Sequence, residues 1–205
     1  MLKVGLELYL SAGREIVEDL VASGWRVFLD LKFNDIPATV AGAVRAARDS
    51  GAEMMTLHAT GGRAMLEAAV AARQGESLPR LVGVTVLTSL DRADLELMGL
   101  VGETHEIAGR LAAMVKESGC DGVVASAREV ETIKQSCGSE FIVVTPGIRP
   151  QGTSADDQAR VATVQDAVAA GSDFIVIGRP ILRAPDPGRA AAEIRKQIET
   201  ANDAR

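Results

Sequence analysis

Several things this chain has little of narrow what it is. Aromatic side chains make up 3% of its 205 residues, while 47% are hydrophobic in the broad sense. A core built chiefly from Ala, Val and Leu, with 20 glycines among them, suits helices packed closely on a parallel sheet. Cysteine is nearly absent. Cys120 and Cys137 stand far apart with no histidine pair beside them, so neither a metal cluster nor a disulfide framework is expected, and both read as buried or inert thiols. Positive charge is in deficit. A formal net charge of −6 leaves no basic face for a nucleic-acid backbone, so any anion must be captured locally. No apolar run approaches a membrane span, and the first residues lack the succession of a signal peptide, which makes a cytoplasmic protein the expectation.

What is present centres on Arg26 to Thr39, Arg-Val-Phe-Leu-Asp-Leu-Lys-Phe-Asn-Asp-Ile-Pro-Ala-Thr. Val27, Phe28, Leu29 and Leu31 read as a strand, and strand alternation puts Asp30 and Lys32 on the face opposite Leu29 and Leu31. Asp35 lies just beyond, where Asn34 and Pro37 end the strand. Two carboxylates flanking one ammonium favour its protonated form and leave an anion-repelling spot beside a proton donor. By itself the pattern equally describes a partly solvated ion pair.

Around that stretch, strand and helix signals alternate. Leu2-Lys3-Val4-Gly5 looks like the tail of a strand, followed by a helix from about Ser11 to Ser23 and, after the central strand, a helix from about Ala38 to Asp49. Further strands are expected at Met54 to His58, Leu81 to Leu87, Gly122 to Ala125, Phe141 to Thr145 and Asp173 to Ile177. Intervening helices are expected from Thr60 onward, at Glu103 to Ser118, Ala127 to Gln135 and Val164 to Ala170, with a terminal one from Gly188 to Ala201. Seven strands alternating with helices imply right-handed crossovers and a parallel sheet in one domain, residues 1–205. No Gly-x-Gly-x-x-Gly turn follows the first strand, so a (β/α) barrel one strand short is preferred to an open doubly wound sheet.

Strand ends then supply the candidate chemistry. Lys3 is either an exposed terminal lysine or a member of the network of Asp30, Lys32 and Asp35. Thr145-Pro146-Gly147-Ile148-Arg149-Pro150, with Gly152 and Gln158 further along, combines close backbone approach, a guanidinium fork and an amide, which suits an oxyanion such as phosphate. Gly178-Arg179 after the last strand adds a second such element. Thr88 and Ser89 either meet a polar ring edge or cap a helix, Thr39 either faces a ligand or caps, and His58 reads as structural.

In combination, Asp30-Leu31-Lys32-Phe33-Asn34-Asp35-Ile36-Pro37, Lys3-Val4-Gly5, Val86-Leu87-Thr88-Ser89, the Thr145 to Pro150 run and Ile177-Gly178-Arg179-Pro180 resemble the orotidine 5′-phosphate decarboxylase family of bacteria, nearly end to end and in order. The resemblance implies a (β/α)8 TIM barrel that acts as a homodimer and turns orotidine 5′-phosphate into UMP and carbon dioxide without metal or organic cofactor. It makes Lys32 the proton donor to C6, sets Asp30 against the substrate carboxylate, and sends Asp35 into the neighbouring subunit's site. Lys3 would hold ribose hydroxyls and orient Asp30; Thr88 would meet the pyrimidine. Arg149, Gln158, Gly178 and Arg179 would hold the phosphate, with Ile36 and Thr39 among the substrate-binding residues.

One departure concerns the N-terminus. Family members carry a strand ending in an Ala-Leu-Asp-like motif, then a helix, before the segment that matches Lys3. The chain is therefore expected to be an N-terminally incomplete barrel, with Met1 an internal residue of a longer protein or the chain a fragment; intact motifs elsewhere favour the former. The rival readings are a magnesium-dependent sugar-phosphate decarboxylase or hexulose-phosphate synthase, which shares the Asp-x-Lys-x-x-Asp pattern, and a non-catalytic barrel remnant that binds nucleotides.

Overall fold

In a computed structural model the structure describes residues 1–149 and 162–203, which form two compact units. The first, residues 1–85 and 111–123, holds β1 (Leu2–Gly5), α1 (Leu6–Ala12), α2 (Glu15–Ala22), β2 (Val27–Phe33), α3 (Pro37–Asp49), β3 (Met54–His58), α4 (Arg63–Ala71) and β4 (Arg80–Val84). The second, residues 86–110 and 124–205, holds α5 (Arg92–Leu97), α7 (Val130–Cys137), β6 (Ile142–Thr145), α8 (Val164–Ala170), β7 (Phe174–Ile175), α9 (Arg179–Leu182) and α10 (Pro187–Asp203). Helix α6 (Thr104–Glu117) and strand β5 (Gly122–Val124) each have residues in both. Among the described residues there are seven strands, as the alternation of signals in the sequence predicts.

In the first unit β1 to β4 pair in chain order, all parallel, with Val4 opposite Leu29, Leu29 opposite Met55 and Met55 opposite Leu81. These four residues are almost wholly buried, as expected of strands covered on both faces. Gly83 in the middle of β4 marks the tightest contact. A Cβ there would lie 2.6 Å from a methyl of Val115 on α6, so the bare backbone lets that helix seat directly on the strand. In the second unit β6 pairs with β7 in parallel, and a core of Ile148, Val164, Ala167, Val168 and Ile194 joins α8 and α10 to the loop after β6.

Strand starts share one device. Asp121 donates its N–H to the Leu81 carbonyl and takes the Leu81 N–H on its carboxylate at 2.6 Å, while Arg73 binds the same oxygen at 2.7 Å. Asp173 repeats this in the second unit, pairing with both backbone groups of Val143 and with Lys134 at 2.7 Å. Each carboxylate thus satisfies a strand N–H and ties down the preceding helix or turn. Next to Asp121 the Cys120 thiol is pushed up to about 12, first by burial and then by the neighbouring carboxylate. Both cysteines are buried and free, as read from the sequence.

Local chemistry moves some expected boundaries. The first helix begins at Leu6 rather than near Ser11 and breaks at Gly13, whose φ of 70° lies in the left-handed region, before α2 resumes. Strand β4 stops at Val84, and Asp91, not Ser89, caps the short helix α5 through a reciprocal box with Asp94. Helix α8 has the same box between Thr163 and Asp166. The four-residue helix α9 has no apolar period long enough to be predicted.

Gly83→Ala is expected to destabilise the protein by about 1–3 kcal/mol through overpacking. Urea unfolding checks this, and Val115→Ala in the same chain should restore part of the loss; no change in the single variant would show that α6 does not seat on Gly83.

Candidate active site

The end of β2 does not follow simple alternation. Leu29 faces Met55 and Phe33 faces Leu57, so four steps along β2 match two along β3, and the surplus is absorbed between Leu29 and Phe33. Lys32 lies in this irregularity with φ at 53°, a left-handed backbone that costs a non-glycine residue on the order of 1–3 kcal/mol. Asp30 and Lys32 do share one network, as the sequence predicts, but a bulge brings them together. Leu31 is only half-buried, lining a groove of about 390 Å³ with Leu6, Tyr9 and Thr39.

Asp30 is the hub. Its Oδ1 accepts from Lys32 Nζ at 2.8 Å and from the Thr56 hydroxyl at 3.1 Å, and its Oδ2 meets Lys3 Nζ at 3.2 Å. The Asp30 side chain is 12% exposed, against 35% for Lys3 and 32% for Lys32. Burial pushes this carboxyl up, but the hydrogen bond and charge of Lys32, joined by those of Lys3, outweigh it and hold the group below its ordinary value of 3.8. Because the folded value is the lower one, the stabilisation is present in full above pH 3.8 and is lost as pH falls through the folded value. Lys3 is therefore part of the network and not a free terminal lysine. Gly5, opposite Asp30 in the register, helps: a Cβ there would stand 3.0 Å from Lys3 Nζ.

Strand β3 contributes two groups from its own end. Thr56, fully buried, accepts the Lys32 N–H at 2.8 Å as well as donating to Asp30. His58 is half-buried, and its Nδ1 has no hydrogen-bond partner among the described residues. Burial and then the Lys32 charge push its pKa down, with Asp30 partly opposing, so it is neutral at neutral pH. The sequence reading passed over Thr56; the signal was a hydroxyl inside the otherwise apolar run Met54 to Leu57.

Asp35 and Thr39 line the same groove, and both are exposed, as is Ile36 between them. The Asp35 carboxylate accepts its neighbour Ile36's N–H at 2.6 Å, and among the described residues no hydrogen bond or ion pair joins it to Lys32. The sequence set two carboxylates beside the ammonium; within one chain Asp30 is the one that reaches it.

In the second unit Arg149 is 8% exposed in the segment after β6, and its backbone N–H donates to the Ala162 carbonyl. Its Nη1 donates to the Ile148 carbonyl, yet Nε and Nη2 are buried without a partner among the described residues. A buried guanidinium with two unmet donors is a strong attractor for an oxyanion. Gly178 caps α9 ahead of Arg179, and a Cβ on it would meet open space. Thr88 sits half-buried in a turn beyond β4. Gln158, Pro150 and Gly152 lie outside the described residues.

Comparison with known proteins bears directly on these motifs. The orotidine 5′-phosphate decarboxylase from Halorhodospira halophila is 53% identical over 203 residues, covering 98% of this chain and 85% of its own length. That from Teredinibacter turnerae is 50% identical over 204 residues, covering 97% and 86%. Among solved structures, the orotidine 5′-phosphate decarboxylase from Lactobacillus acidophilus superposes with a TM-score of 0.84 at 38% identity, over 96% of this chain and 85% of the other. The fold is therefore the α/β barrel type of that enzyme. A family model, orotidine 5′-phosphate decarboxylase / HUMPS, matches residues 1–194, and the chain belongs to that family.

Proposed function

We propose that the chain decarboxylates orotidine 5′-phosphate to UMP and carbon dioxide, as a cytoplasmic homodimer of single-domain barrels and without metal or organic cofactor. The observation that carries this reading is the Lys32 ammonium, held 2.8 Å from a buried, ionised Asp30 on a strained strand end. Breaking the bond between C6 and the carboxyl carbon leaves its electron pair on C6 as carbon dioxide departs. An adjacent ammonium stabilises that developing charge and then gives C6 a proton, after which the neutral amine takes a proton from solvent and becomes the ammonium again. Asp30 faces the substrate carboxylate. Its negative charge is destabilising to the bound acid and is relieved as that acid loses its charge, so the interaction favours the transition state over the ground state.

Lys3 serves both as a second counterion that keeps Asp30 ionised and as a ribose contact. Asp35 and Ile36, exposed in the single chain, act at the neighbouring subunit's site, and Thr39 lies beside them. Arg149, Gly178 and Arg179, with Gln158, hold the phosphate, the two unmet donors of Arg149 matching its oxygens; Thr88 contacts the pyrimidine. Binding energy gathered on the phosphate is remote from the reacting carbon, and it can be spent on positioning there. The HUMPS half of the family description keeps a magnesium-dependent sugar-phosphate reaction as the alternative, although the relatives named above are orotidine 5′-phosphate decarboxylases.

Purified protein is expected to turn over orotidine 5′-phosphate equally well with and without EDTA; loss of activity with the chelator would favour the alternative, and tight UMP binding without turnover would favour a non-catalytic barrel. Lys32→Ala should lower kcat by at least about 10³-fold in a folded protein, the upper range for losing a proton donor. Arg149→Ala should lower kcat/KM by about 10²-fold, the scale of one charge-assisted contact, while inorganic phosphite or phosphate added to a truncated substrate should affect it less than the unsubstituted protein.

A further inference from the structure

We infer that Thr56 is a positioning residue for the reaction, its single hydroxyl fixing both the backbone of Lys32 and the carboxylate of Asp30. The inference rests on the decarboxylase reading above and names a residue that the motif pattern does not contain. In regular parallel pairing the N–H of Lys32 would bond to a backbone carbonyl. The irregularity between Leu29 and Phe33 takes it out of the ladder, and Thr56 Oγ1 accepts it instead at 2.8 Å. The hydroxyl hydrogen goes the other way, to Asp30 Oδ1 at 3.1 Å, the oxygen that also receives Lys32 Nζ at 2.8 Å. One side chain therefore closes a ring through the Lys32 backbone, the Lys32 ammonium and the Asp30 carboxylate.

The choice of residue is specific. Thr56 has no exposed surface, so water cannot stand in for its hydroxyl without a rearrangement. A residue that only filled the core would be Val, which has the same shape and neither donates nor accepts. With Val present, the left-handed Lys32 loses the bond that compensates its strained φ of 53°, and Asp30 loses a donor on the oxygen that steers the ammonium. The titratable groups facing Asp30 are Lys3 from β1, Lys32 from β2 and, at longer range, His58 from β3; none of them can replace a hydroxyl to the Lys32 N–H.

Thr56→Val and Thr56→Ser test this. The expected result is a fall in kcat of roughly 10- to 100-fold for Thr56→Val, the usual cost of displacing a reacting group by a fraction of an ångström to an ångström, with KM within about threefold of the unsubstituted protein and Thr56→Ser within about threefold in both. A Val variant as active as the original, or Val and Ser variants equally impaired, would overturn the inference. A second readout does not depend on turnover: in a crystal structure of the Val variant Lys32 should leave the left-handed region and its Nζ should move away from Asp30. Retention of both would overturn the inference even if no variant turned over substrate, whereas an inactive unsubstituted protein would overturn the decarboxylase reading alone. Thr56→Cys, with a weaker donor and acceptor of similar size, carries the same comparison should the Val chain not accumulate folded.

Discussion

A carboxylate at a nearly buried strand end is tolerable only if something neutralises it, and the site grows out of that requirement. Asp30 is held by two ammonium groups, one from β1 and one two residues along its own strand, and by a hydroxyl from β3. Remove either cation and the desolvation that already pushes this carboxyl up would gain ground. The same three contacts aim Lys32. Electrostatic need and the placement of Lys32 are thus met by one set of atoms, which is why the cluster is compact and why its members arrive from three neighbouring strands.

Carboxylates appear at both ends of the strands, with opposite duties. At the starts, Asp121 and Asp173 each bind one strand N–H and one cation, Arg73 from a turn and Lys134 from a helix. At the end of β2, the Asp30 carboxylate has no backbone partner among the described residues and answers only to side chains. Lys32 supplies the strain at the end of β2, and the well-packed strands behind it supply the rigidity that keeps it.

Much of this was legible in the sequence because it depends on order and period. Alternating strand and helix signals, Pro37 at the first turn of α3 and the Asp30-Lys32 spacing can all be read directly. Geometry that depends on pairing cannot. The bulge in β2 exists only relative to β3, so alternation reached the right grouping of Asp30 with Lys32 for an insufficient reason. Thr56 was invisible for the same cause, since its role is set by what lies across the ladder. Lys3 read as a lone lysine because one two residues from the start of a chain usually is; it stands two residues before Gly5, which faces Asp30 across the ladder, and its ammonium reaches that carboxylate. The capping boxes at Asp91 and Thr163 were readable in principle, each an acid three residues past a cap, but short helices give too little period to prompt the search.

The parity of the irregularity in β2 has an evolutionary edge. The strand spends four steps where its neighbour spends two, and both counts are even, so Phe33 emerges in phase with the residues before the bulge. Lengthening or shortening this segment by one residue would turn Phe33, the last residue of the strand, to the other face and shift the start of the turn that carries Asn34 and Asp35. Substitution can explore this part of the molecule one position at a time, but insertion and deletion cannot, and natural variation in its length should come in pairs or not at all.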